Sequence, residues 1–180
     1  KRFYSIVLTD CGTGMVHSVM KATLDHADQL VLVSGGSIDE ARLTSETISW
    51  LEANGYEELA RNAVVALNTS THGTNLVRLE EIEDHFASRV REIVRIPYDP
   101  QLATGSAITF HDLQPATRLA ARELAAKVVE GLRALADARL DRADEGLLLG
   151  RVIELEPIAL AAELGHRPVP HRGGRDHVTG

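Results

Sequence analysis

The sequence predicts an α/β fold: a mostly parallel sheet with helices on both faces and an irregular C-terminal tail. Three observations carry this. Four short aliphatic runs alternate with helical patterns over the first three quarters of the chain. The first three runs show little polar alternation, which fits strands buried on both faces. The spacing is that of strand–helix–strand units, whose right-handed crossovers place helices on the two sides of a sheet.

The first run, Tyr4 to Leu8, ends at Asp10. Val16, Val19, Met20, Thr23 and Ala27 share a helical face after it. The second run is Leu30 to Val33, closed by Ser34-Gly35-Gly36. Ser37 and Glu40 then form a capping box for a helix with Ile38, Ala41, Ser45 and Ile48 on one side, and Gly55 is placed to stop it. The third run, Ala63 to Leu67, ends at Asn68. Leu79, Ile82 and Phe86 predict a shorter helix. The fourth run, Val90 to Ile96, is broken by Arg91, Glu92 and Arg95, which places it nearer a sheet edge. A long helix starts near Pro115 and carries Leu124, Val128, Leu132 and Leu135 on one side. Glu123 stands four residues before Lys127, a favourable ion-pair spacing. Asp137 to Glu145 is charged and could extend that helix. The expected division is a domain over residues 1–136 and a tail over 137–180. Leu147 to Leu164 holds one short element interrupted by Pro157, and 166–180 is too polar to order.

The chain has 180 residues, 44% of them hydrophobic but only 4% aromatic, so the core is aliphatic. A net charge of −7 argues against direct nucleic-acid binding, which needs a basic face. The single cysteine, Cys11, has no internal partner, and a reducing cytoplasm fits it. It reads better as a small packing residue than as a reactive thiol. No apolar run approaches the roughly 18 residues of a spanning helix. His166, His171 and His177 lie in a Gly/Pro-rich stretch at spacings that suit no metal site. Trp50 reads as a packing residue or part of a partner face. The start at Lys1, directly into an apolar run, reads as a fragment of a longer chain.

In open parallel sheets, ligands bind beyond the carboxyl ends of the strands. That rule selects Asp10-Cys11-Gly12-Thr13-Gly14, Ser34-Gly35-Gly36, Asn68 and Pro97-Tyr98-Asp99-Pro100, all expected on one edge. A carboxylate at Asp10 suits Mg²⁺ or a turn cap, and the glycines at 12 and 14 suit a phosphate approached by backbone N–H groups. Asn68 and Asp99 equally suit turns.

Ser5-Ile6-Val7-Leu8-Thr9-Asp10-Cys11-Gly12-Thr13-Gly14 resembles the Walker B strand and switch of MinD/ParA-type ATPases. Ala27 to Val33 is similar to that family's next strand, Ala63 to Asn68 to its strand ending in a base-contacting Asn, and Ile96 to Pro100 to its adenine-pocket segment. The ordered set spans about residues 3 to 135. Several segments look most like the MinD-like ATPases of actinobacterial type VII secretion systems. The resemblance implies an incomplete P-loop NTPase-like domain and an ATP-dependent switch working by ATP-driven dimerisation, with a protein partner or a second copy. It implies Asp10 as the catalytic and Mg²⁺-positioning residue, Gly12, Thr13 and Gly14 as γ-phosphate sensors, and Asn68, Pro97 and Asp99 around adenine. The family's Gly-rich, Lys-bearing loop is absent: the sequence has no G-x-x-x-x-G-K-[ST]. ATP binding is therefore expected of a complete domain and not of this chain alone. The alternative is a non-catalytic interaction module that keeps the fold without ATP turnover.

Overall fold

A computed structural model describes residues 6–12, 18–69, 76–104, 107–140 and 150–155. Their order is β1 (Ile6–Asp10), α1 (Ser18–Leu24), β2 (Gln29–Gly35), α2 (Ile38–Ala53), α3 (Glu57–Arg61), β3 (Val64–Asn68), α4 (Leu76–Ala87), β4 (Glu92–Ile96), α5 (Pro100–Ala103), α6 (Pro115–Leu140) and β5 (Gly150–Leu155). The five strands form one sheet in the order β1-β5-β2-β3-β4, and every neighbouring pair is parallel.

The aliphatic runs of β2 and β3 make the centre because both their faces are covered. Leu30 and Leu32 of β2, with Val65 and Leu67 of β3, turn toward Met20, Ile48, Leu51, Ile82 and Phe86 on one side. Val31 and Ala66 turn toward Val128, Leu124 and Leu132 of α6 on the other. Alternate residues thus enter two separate aliphatic layers, and the run reads as continuously apolar.

The capping box forms as the sequence implies. Ser37 Oγ accepts from Glu40 N at 3.2 Å, and Glu40 accepts from Ser37 N at 3.2 Å. Gly55 adopts φ +89° just after α2, a conformation that favours glycine. Arg89 then ties the end of α4 back to α2, donating to Ser45, Ser49 and Glu52.

Two expectations need correction. β1 is exposed at all five residues, with Leu8 at 74%. It lies at the sheet edge, not under helices on both faces, because burial depends on neighbours that a local run does not encode. Lys127 does not pair with Glu123; its ammonium reaches Glu92 of β4 at 3.1 Å and Glu130 at 3.3 Å. α6 runs over β4, so a carboxylate on the sheet below competes with one on the helix. The element expected in Leu147 to Leu164 is a strand, β5, and it lies between β1 and β2. The edge position of β4 and the extension of α6 to Leu140 agree with the sequence. The segment 166–180 lies outside the described residues.

α6 approaches the sheet closely at Gly131. A Cβ there would come within 2.1 Å of Gln29 Oε1 and 2.7 Å of Arg91 Nη2. Gln29, 1% exposed, donates to Asn62 O at 2.5 Å, and Arg91 donates to Lys127 O at 2.5 Å. The missing side chain at position 131 is what lets this polar lock sit under the helix.

Candidate functional site

Parallel strands deliver their carboxyl ends to one edge, and the sheet does so here. Asp10 closes β1, Asn68 closes β3, and Pro97 follows Ile96 at the end of β4. Asn68 stands in register between Gly35 of β2 and Ile96 of β4. Thr69 joins the last two ends: its N–H and its hydroxyl both donate to Ile96 O at 2.9 Å.

The carboxylates at this edge hold turns. Asp10 Oδ1 accepts from Gly12 N at 2.8 Å, the geometry by which an aspartate caps the bend after a strand. Asp99 is fully buried and does more. Its Oδ1 accepts from Gln101 N at 2.9 Å and so caps α5, whose first residue is Pro100. Its Oδ2 accepts from Gln114 N at 2.7 Å, fastening the segment that leads into α6. Burial alone would raise this carboxyl, but the Gln114 and Gln101 N–H groups bond to its charged form, and the net effect holds it below its ordinary value of 3.8. Thr13 and Gly14 lie outside the described residues. Cys11 is half-buried against the core, and burial, then the neighbouring Asp10 charge, pushes its thiol up. A raised thiol is a poor nucleophile, in keeping with a packing role.

Between the carboxyl-end edge and α6 lies an open groove of about 650 Å³. Ile6, Leu8 and Val33 line the sheet side, and Leu124, Ala125 and Val129 line the helix side. Asp10 and Asn68 reach its rim. Among the described residues the lining is mostly aliphatic and includes neither lysine nor arginine. Among the described residues no group of three or more His, Cys, Asp or Glu could hold a metal ion. Nor do they include a glycine-rich, lysine-bearing turn. A triphosphate needs both charge neutralisation and a backbone cradle.

Sequence reasoning brought Asp10, Asn68 and Pro97 to one edge but missed the most unusual feature beside them, the exposure of β1. Ile6, Val7 and Leu8 are 42%, 37% and 74% exposed. Among the described residues β1 pairs with β5 alone. No signal within Ile6-Val7-Leu8 separates it from the buried run of β2.

The fold and its carboxyl-end edge define a parallel α/β domain, with no helix among the described residues long and apolar enough to cross a membrane. The chain is 35% identical over 127 residues to the ESX-1 secretion-associated protein EspI of Mycobacterium tuberculosis, in strains CDC 1551 and H37Rv. The match covers 69% of this chain but only 19% of each relative, so the chain spans about a fifth of the length of those proteins. No protein-family model and no solved structure matches. These findings overturn the resemblance to MinD/ParA-type ATPases. The matched relatives carry a secretion-associated name, and no ATPase family is matched. The motifs behind the resemblance were short and loose, and aliphatic strands ending in Asp or Asn recur wherever parallel sheets need turns.

Proposed function

We propose that this chain is a protein-interaction module associated with a type VII secretion system, acting through the open edge of β1 and without nucleotide turnover. Two observations support the class: the name shared by the matched relatives, and a sequence with no G-x-x-x-x-G-K-[ST] loop. The observation that carries the mode of action is β1 itself. It presents Ile6, Val7 and Leu8 to solvent on a strand that, among the described residues, is paired along one side. Natural edge strands are blunted by charges, prolines or bulges, because an unpaired aliphatic edge invites another strand. Ile6-Val7-Leu8-Thr9 has none of these before Asp10. A partner segment adding to this edge would gain main-chain hydrogen bonds for affinity and aliphatic contacts for selectivity.

Val7→Lys tests this. Val7 is exposed and does not line the groove, so an ammonium there changes stability by no more than about 0.5 kcal/mol. In cells making the full-length protein, the variant accumulates to the normal level but secretion through the type VII system falls to background. Normal secretion with Val7→Lys removes the β1 edge from the function.

A further inference from the structure

The large hydrophobics that the described residues expose fall into two clusters and one outlier. Ile6, Val7 and Leu8 lie on β1, Ile108, Phe110 and Leu119 lie around the start of α6, and Ile38 stands apart on α2. Single exposed aliphatics are ordinary, whereas a cluster marks a contact surface. We infer that the second cluster, with Arg118 and Arg122, is a docking surface for an acidic peptide segment of a partner protein, one that carries an aliphatic or aromatic side chain between carboxylates.

The backbone brings these residues together. Thr109 is extended, with φ −105° and ψ 120°, so Ile108 and Phe110 project to the same side of the segment that leads into α6. The Arg122 guanidinium stands 5.5 Å from the centre of the Phe110 ring, and Arg118 Nη1 donates to His111 O at 2.9 Å. These two contacts fasten the segment against the outer side of the helix. Arg118 and Arg122 are one turn apart, and Leu119 is three residues before Arg122, so the three share that side. Leu119 is 66% exposed, whereas its neighbours Thr117 and Ala120 are buried.

Charge selects the occupant. The chain carries a net charge of −7, and Arg42, Arg61, Arg89 and Arg95 each meet a glutamate. Among the described residues Arg118 and Arg122 make no ion pair, although Asp112 and Glu123 are close in sequence. Two guanidinium groups left to solvent beside an apolar cluster match carboxylates on a partner, which they can hold through paired N–H donors. The partner's apolar side chain would then lie on Phe110, Ile108 and Leu119. A basic partner would meet like charge here. This inference does not rest on the proposed function: α6 packs on β2, β3 and β4, and its outer side is separate from the β1 edge.

A random dodecapeptide library displayed on phage, selected on the immobilised full chain, tests it. The recovered peptides should be enriched in Asp and Glu around a Leu, Phe or Trp. A synthetic peptide from that set should bind the parent about tenfold or more tightly than it binds Arg122→Glu or Leu119→Ser. Both positions are exposed, so both variants should melt as the parent does. Arg122→Lys keeps the charge and should bind within a few fold of the parent, and Val7→Lys should bind equally well. Recovered peptides without acidic enrichment overturn the inference, as does binding that neither Arg122→Glu nor Leu119→Ser weakens. A dimer of the parent chain that Leu119→Ser dissolves also overturns it, because a second copy would then be the occupant. Peptides whose binding is lost in Val7→Lys instead belong to β1, which would remove this surface and leave the proposed function standing.

Discussion

Ending the chain after Leu140 should unfold it or leave it aggregating, whereas ending it after Gly165 should leave its melting temperature nearly unchanged. The difference is β5. It registers five residues with β1 and four with β2, so it is the only connection among the described residues between β1 and the rest of the sheet. Removing it strips β1 of its ladder and bares the edge of β2. Each lost ladder bond is worth about 1 kcal/mol net, and the unmade groups on β2 add their own penalty. The total, of order 5 kcal/mol or more, matches the whole stability of a typical domain. Ending the chain after Gly165 keeps every described element and the aliphatic residues 158–164. Comparing thermal melts of the two truncations with the full chain checks this. A chain ending at Leu140 that melts like the parent would mean that β5 is not part of the sheet.

The second large effect is at Asp99. Its buried carboxylate satisfies two backbone N–H groups from separate segments, Gln101 at the start of α5 and Gln114 just before α6. Asp99→Ala leaves both donors without their acceptor in a buried site, and it releases the entry to the longest helix of the fold. The melting temperature should fall by several degrees at neutral pH. The acid behaviour follows from the lowered carboxyl. Because the folded value lies below the ordinary 3.8, the contribution is fully present above that pH and is lost as the pH falls through the folded value. Asp99→Asn should therefore lower stability at neutral pH and flatten its fall below about pH 4, measured by denaturant titration across that range. An unchanged acid limb in Asp99→Asn would assign the acid sensitivity to other carboxylates.

The sequence carries the parts of this fold that local chemistry determines. Ser37 and Glu40 specify a helix start through their own reciprocal bonds, and the structure has it. Leu30 to Val33 and Ala63 to Leu67 read as doubly buried strands because every residue in them is apolar, and both faces are covered. Asp99 between two prolines reads as a turn, and its N-cap bond is local. Its second bond, to Gln114 fifteen residues on, is not legible, because nothing adjacent in sequence marks that partner.

The remaining differences share one physical origin. β5 carries Arg151 and Glu154 among its apolar residues and resembles a peripheral strand, yet it sits between β1 and β2. Pairing order in a parallel sheet is set by long crossovers and shared layers, not by the strand's own pattern. β1 fails in the opposite sense: Ile-Val-Leu has the composition of a central strand and the exposure of an edge. Lys127 finds Glu92, thirty-five residues away, because the sheet brings it there. The family resemblance fell to the same weakness. Each motif was a short strand and a turn residue, and such pieces define a fold class more readily than a function.

The central claim is that this chain works by protein contact and not by a nucleotide. Calorimetric titration of the full chain with Mg-ATP tests it most directly. The apolar groove and the missing phosphate loop predict no saturable binding at micromolar concentrations. A dissociation constant in the micromolar range or tighter, lost in Asp10→Ala and retained in Val7→Lys, would contradict it and place a nucleotide at the carboxyl-end edge.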